Sequence, residues 1–355
     1  MWIYIALFIF ELLFGLAIMK KESKYKKIYL FVSFILLGGI AAIRTENVGV
    51  DTLQFHDAYL RIGNLNWLEL STERYEMGFS ILCRILNYIS ENPQLLISVT
   101  AIFINFSVIR FIYKYSKDVV FSILLYILLN FYFSYMNIMR QALAIAILLW
   151  AFDAIKNNKK IRYFILVVLA TLFHGSAILG LAYIILLKFK YKQKYNKFVI
   201  PILGIIFLFG KEIFLLFSEI SPRLAGYVGS EYDTENYFGA LLAFLLTFII
   251  WWFGNNVLNK KKNDDIDEDL ILYNKLMIIN VITTLLTIRV GIFNRFTPYF
   301  SVFQIIWIPN ILKIMKKNAQ LFKLLFTIVL VMYWLIIMIF RPEWYGVVPY
   351  EMIKF

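Results

Sequence analysis

IRYFILVVLATLFHGSAILGLAYIILL, residues 161 to 187, is the stretch on which the reading of this chain turns. It is long enough to cross a bilayer once. Lysine patches border it on both sides, at Lys156 to Lys160 and at Lys188 to Lys197. Lysines beside membrane helices mark the cytoplasmic face, so a single crossing would strand one patch outside. The middle reads Leu172-Phe173-His174-Gly175-Ser176. A hairpin of two short helices, turning at His174 and Gly175, keeps both patches inside. Non-helical backbone at membrane depth is tolerated only where it is buried in protein or lines a wet cavity. That would set His174 in such a cavity.

The flanks share this character. Of 355 residues, 61% are hydrophobic, more than a soluble domain could hide. Apolar runs recur along the whole length, and the expectation is an all-α polytopic integral membrane protein. About ten full spans are predicted, near 2–19, 28–43, 94–113, 119–137, 139–155, 198–217, 239–257, 270–288, 296–312 and 321–340. The first is read as a retained span, since it lacks the basic start and cleavage site of a signal peptide. Residues 1–355 then form a single transmembrane domain with a large outer loop at 44–93 and a second at 218–238. Within the first loop, residues 78–90 (GFSILCRILNYIS) have apolar residues at helical spacing. They are too short to span and fit an amphipathic interfacial or re-entrant helix.

The net charge of +13 lies beside apolar spans, which points to anionic membrane lipids rather than nucleic acid. One cysteine and two histidines argue against a disulfide or a zinc centre. No carboxylate cluster suggests a divalent metal, and no phosphate-binding glycine loop suggests ATP. No cofactor is expected.

The basic residues divide by type. Twenty-five lysines cluster in the short breaks. Between Phe31 and Tyr113 there is none, yet Arg44, Arg61, Arg74, Arg84 and Arg110 occur there. The positive-inside rule explains the lysines, while arginines held apart suit bidentate recognition of phosphate or carboxylate. With this topology Arg44, Asp51, Glu76, Arg140, Arg289 and Arg295 reach one level, with His174 at the hairpin turn. Arg140 opens a span, where a cation opposes the helix dipole. An anionic partner would relieve that, helped by the free N–H groups of the helix start. His174, Asp51 and Glu76 can each serve as a general base or, equally, as structural partners. The tyrosines and tryptophans of the outer loops exceed an interfacial belt and would suit a sugar cleft.

These strings resemble the EpsG/Wzy-like family of bacterial polysaccharide repeat-unit polymerases. The matching residues are Arg44 with Gly49-Val50-Asp51 and Tyr59; Glu76-Met77-Gly78-Phe79; Met139-Arg140-Gln141 with Ala144; Phe173-His174-Gly175-Ser176-Ala177; and Arg295-Phe296-Thr297-Pro298-Tyr299-Phe300. The resemblance implies glycosyl transfer at the outer face of the cytoplasmic membrane. Undecaprenyl-pyrophosphate-linked oligosaccharide would be both donor and acceptor, with chain-length regulator and flippase proteins as partners. Arg44, Arg140, Arg289 and Arg295 would then grip pyrophosphate. Asp51, then His174, then Glu76 are ranked as the base, and Gln141, Tyr59 and Tyr299 are expected to face the glycan. Two rival classes are a transporter or flippase of lipid-linked oligosaccharide and a membrane acyltransferase. The first would need polar groups through the full membrane depth. The second would need a cytoplasmic acyl-CoA site beside a buried histidine.

Overall fold

The computed structural model describes residues 1–19, 25–190, 193–220, 225–230, 237–261, 267–315 and 317–354. Expectations that fall on Lys20 to Lys24, Lys192, Tyr232, Lys262 to Asp265 and Lys316 lie outside these residues. Among the described residues the chain is helical, and its one isolated pairing of extended backbone joins Arg44 to Met352. It divides into two compact units, Met1–Gly180 with Lys316–Phe355, and Leu181–Met315.

The first unit begins with α1 (Trp2–Met19), α2 (Lys26–Ala42), α3 (Thr52–Gly63) and α4 (Met77–Asn87). It continues with α5 (Gln94–Tyr115), α6 (Val119–Leu128), α7 (Phe131–Asn137), α8 (Met139–Lys156) and α9 (Lys160–Thr171). The second unit holds α10 (Ala182–Lys188), α11 (Val199–Ile220), α12 (Tyr237–Asn259), α13 (Glu268–Arg289), α14 (Pro298–Ser301) and α15 (Gln304–Met315). Finally, α16 (Ala319–Phe340) belongs again to the first unit.

Helix α8 is the axis of the first unit. Every residue but Arg140, Trp150 and Lys156 is buried, as a helix apolar on all sides requires. It packs against α5 and α9. Its last turn carries Asp153, whose carboxylate accepts from Arg110 (2.7 Å), Lys114 (2.7 Å) and the Tyr115 hydroxyl (2.8 Å) of α5. This corrects one expectation. Arg110 stands four residues before Lys114 on one helix face and shares its carboxylate, so it belongs to the lysine-bearing end and not with the segregated arginines. Its guanidinium also lies 3.6 Å from the centre of the Trp150 ring.

The span count also changes. By length and composition five described helices can cross a membrane: α5, α11, α12, α13 and α16. A sixth arises if α6 and α7, bent by 53°, act as one broken span. The bend falls at Asn130, which takes a left-handed φ of 62° that asparagine tolerates. The expected span at 296–312 is interrupted after a 3-10 turn and the four-residue α14, leaving α15 at 12 residues. That is about 18 Å of helix against a hydrocarbon core of about 30 Å. Helix α8 carries Arg140, Asp153 and Lys156 near its ends, while α2 is 17 residues long and α1 is short among the apolar helices.

The decisive stretch does break where expected. Helix α9 stops at Thr171, and a 3-10 segment, Gly175–Leu181, follows the turn. By Gly180 the chain has doubled back, its carbonyl accepting the Tyr163 hydroxyl at 2.6 Å. The amphipathic element is α4, with Phe79, Cys83 and Leu86 buried and Ile85, Tyr88 and Ile89 exposed on and just beyond it.

In the second unit, Lys275 of α13 donates to the carbonyls of Leu186 and Phe189 at the end of α10, a favoured place for a cation. Tyr183 of α10 donates to the Tyr299 carbonyl (2.7 Å).

Candidate functional site

Three short breaks in the first unit meet at Glu76. The residue before α4 has extended backbone (φ −63°, ψ 144°), so Glu76 projects from the helix start instead of lying along it. One carboxylate oxygen accepts from Nη1 of Arg140, the second residue of α8. The other accepts the Gly175 backbone N–H at 3.2 Å and lies 3.6 Å from Nδ1 of His174. The three side chains are 15%, 22% and 12% exposed, so the cluster is sheltered without being sealed from solvent.

Backbone approach holds the cluster. The Gly78 N–H donates to the Leu172 carbonyl at 2.7 Å. A Cβ on Gly78 would stand 2.7 Å from that oxygen and 2.9 Å from its carbon. Only glycine lets the start of α4 touch the turn after α9. On the remaining side, the Arg140 guanidinium lies over the Tyr75 ring (4.7 Å from its centre) and over that of Phe55 (5.9 Å). Rings at these distances attract the guanidinium charge through their π faces. The Arg140 Nε is buried with no hydrogen-bond partner among the described residues.

The dipole argument anticipated an anionic partner for Arg140, and the fold supplies Glu76. Burial by itself pushes the Glu76 carboxyl up. The Arg140 guanidinium, the Gly175 N–H and His174 outweigh it and hold the carboxyl below the ordinary carboxylate value. A group held lower in the folded chain stabilises the fold above its unfolded value, and that support fades as pH falls through the folded value. Glu76→Gln should therefore unfold at a lower temperature than wild type at pH 7. The gap should narrow as pH drops from about 4.3 downward. Thermal unfolding in detergent across pH checks this. A gap constant with pH would assign the loss to packing rather than charge.

The other predicted residues are distributed as follows. Arg44 is 2% exposed and donates to the carbonyls of Ala41 and Met136. Asp51 stands half-buried before α3, beside Val50, whose N–H donates to the Asn137 side chain. Gln141 is buried next to Arg140. Tyr59 is fully buried and its hydroxyl donates to the Ser90 carbonyl (2.5 Å). Arg289, Arg295 and Tyr299 lie in the second unit. There Arg289 faces the Phe207 ring, Arg295 donates to the Tyr227 hydroxyl (2.8 Å), and Tyr299 is fully buried. Sequence reasoning missed the Phe55 ring and the Gly175 N–H. Phe55 was findable from the spacing Thr52, Phe55, Tyr59, which lines one face of α3.

Apolar helices long enough to cross a bilayer define an integral membrane protein, and its first unit holds an ion-paired arginine at a sheltered helix start. No curated protein and no solved structure matches the chain significantly. A profile of the EpsG family does match, over residues 27–352, and the chain belongs to that family. Membership points to a polysaccharide-polymerase type of membrane protein.

Proposed function

We propose that the chain joins undecaprenyl-pyrophosphate-linked oligosaccharide repeat units by glycosyl transfer at the outer face of the bacterial cytoplasmic membrane. The observation that carries this reading is the Arg140–Glu76–His174 cluster, present in a chain of the EpsG family. Arg140 has the planar fork that suits a diphosphate, and its neighbours provide a carboxylate and an imidazole for a hydroxyl proton.

In this mechanism the donor diphosphate displaces Glu76 from Arg140. The released carboxylate loses its nearest cation, and its basicity rises. The acceptor hydroxyl oxygen then bonds to the donor's anomeric carbon. The bond from that carbon to the diphosphate oxygen breaks, and the electron pair leaves with the lipid diphosphate, steadied by Arg140. The hydroxyl proton passes to Glu76, with His174 beside it to share the charge. Glu76 therefore replaces Asp51 as the first choice of base, because it is the carboxylate that the structure brings to Arg140. Arg289, Arg295, Gln141 and Tyr299 are retained as proposed substrate contacts, each to be judged by its own substitution. Tyr59, with its hydroxyl already donated to Ser90, is proposed to support α3 rather than to stack on sugar.

The direct test uses the purified full-length protein in lipid vesicles with undecaprenyl-pyrophosphate-linked repeat units and neither nucleotide sugar nor ATP. A ladder of longer lipid-linked glycans is expected, with one lipid diphosphate freed per bond formed. Folded protein that extends nothing under these conditions would overturn the reading.

A further inference from the structure

After α16 the described residues have one 3-10 turn, Pro342–Trp344, and otherwise run without helix. The chain nevertheless folds back along the loop between α2 and α3. The Gly49 N–H donates to the Gly346 carbonyl (2.8 Å), the Thr45 N–H to the Glu351 carbonyl (3.1 Å), and the Ile353 N–H to the Ile43 carbonyl (2.9 Å). The Glu351 side chain accepts from the Asn47 amide (3.1 Å). Gly346 has φ +59°, and a Cβ there would meet Val50 at 3.0 Å.

The far side of the same loop grips the break between α7 and α8. Arg44 donates to the carbonyl of Met136 (3.1 Å) and to that of Ala41. The Val50 N–H donates to the side chain of Asn137. Met136 and Asn137 end α7, and Arg140 follows three residues later on α8. The order of contact is tail, loop, helix break, Arg140. An arginine 2% exposed with both terminal nitrogens on main-chain carbonyls cannot meet a diphosphate unless this layer opens.

We propose that residues 346–353 clamp the 43–50 loop onto the α7–α8 break and so fix the aim of Arg140, with Arg44 as the positioning residue of the clamp. The link to activity rests on the function proposed above, whereas the clamp itself does not.

The experiment compares wild type, Arg44→Gln and Gly346→Val, all full length in detergent micelles. Hydrogen exchange of the amides at 134–142 is read first. Both variants should exchange there at least about tenfold faster. The apparent KM for the donor is read next with undecaprenyl-pyrophosphate-linked repeat units, and it should rise about tenfold. A simple loss of folded protein would lower the maximal rate and leave KM alone. Should Arg44→Gln fail to fold, Gly346→Val carries the test, since it leaves every buried polar partner in place. Unchanged exchange at 134–142 overturns the clamp. Faster exchange with an unchanged donor KM overturns its link to Arg140. A wild type that extends nothing overturns the proposed function, and the exchange data still decide the clamp.

Discussion

Arg140→Ala should stop polymer growth, lowering the rate of extension by on the order of a hundredfold or more while the protein is still made and inserted. Removing one charged group that meets developing negative charge has effects of this size in other enzymes. Here the loss is compounded. Glu76 would keep its sheltered place with no guanidinium beside it, and its carboxyl would titrate higher. The lysine variant separates charge from shape. Lysine can supply a point charge but not the fork, and it lacks the planar group that Arg140 sets 4.7 Å from the centre of the Tyr75 ring. It should recover only part of the activity. Lipid-linked glycans resolved on a gel, at matched protein levels, give the readout. A full ladder from Arg140→Ala would remove Arg140 from the mechanism.

Gly78→Ala is expected to damage activity more than tenfold although it removes no charged or polar group. The added methyl would meet the main chain of Leu172, which cannot rotate away as a side chain would. The start of α4 must then lift from the turn after α9. Glu76 rides on that helix start, so its contacts with the Gly175 N–H and His174 lengthen together. Overpacking of this kind costs about 1–3 kcal/mol. The unfolding midpoint should fall accordingly, and the pH dependence of the Glu76 contribution should weaken with it. Normal activity in Gly78→Ala would show that the contact between α4 and the turn does not set the site.

How much of this was legible beforehand follows the range of each interaction. The break in residues 161–187 was readable because two lysine patches and a His-Gly pair lie within one short window. The membrane class was readable from composition. The number of spans was not. Hydropathy sees the apolar run at 296–312, but not that Pro298 begins a four-residue helix and that the chain regathers into α15 only at Gln304. Arg140 was legible because an arginine at a helix start conflicts with the local dipole. Its partner was one of several acids until the fold brought residues 76, 140 and 175 together. The partners of Arg44 were hidden for the same reason. Its partners are main-chain carbonyls, and those carry no mark in the sequence.

Helix α8 is pinned at both ends. Its first turn is tied through Arg140 to Glu76, and its last turn through Asp153 to Arg110 and Lys114. The helix is 18 residues long, a strut of about 27 Å with a tie near each end. A piston-like slide by one turn would break both sets of ion pairs at once. Once a diphosphate displaces Glu76 from Arg140, the Asp153 ion pairs still hold the far end of α8, so the opening is expected on the side of α4, whose start carries Glu76.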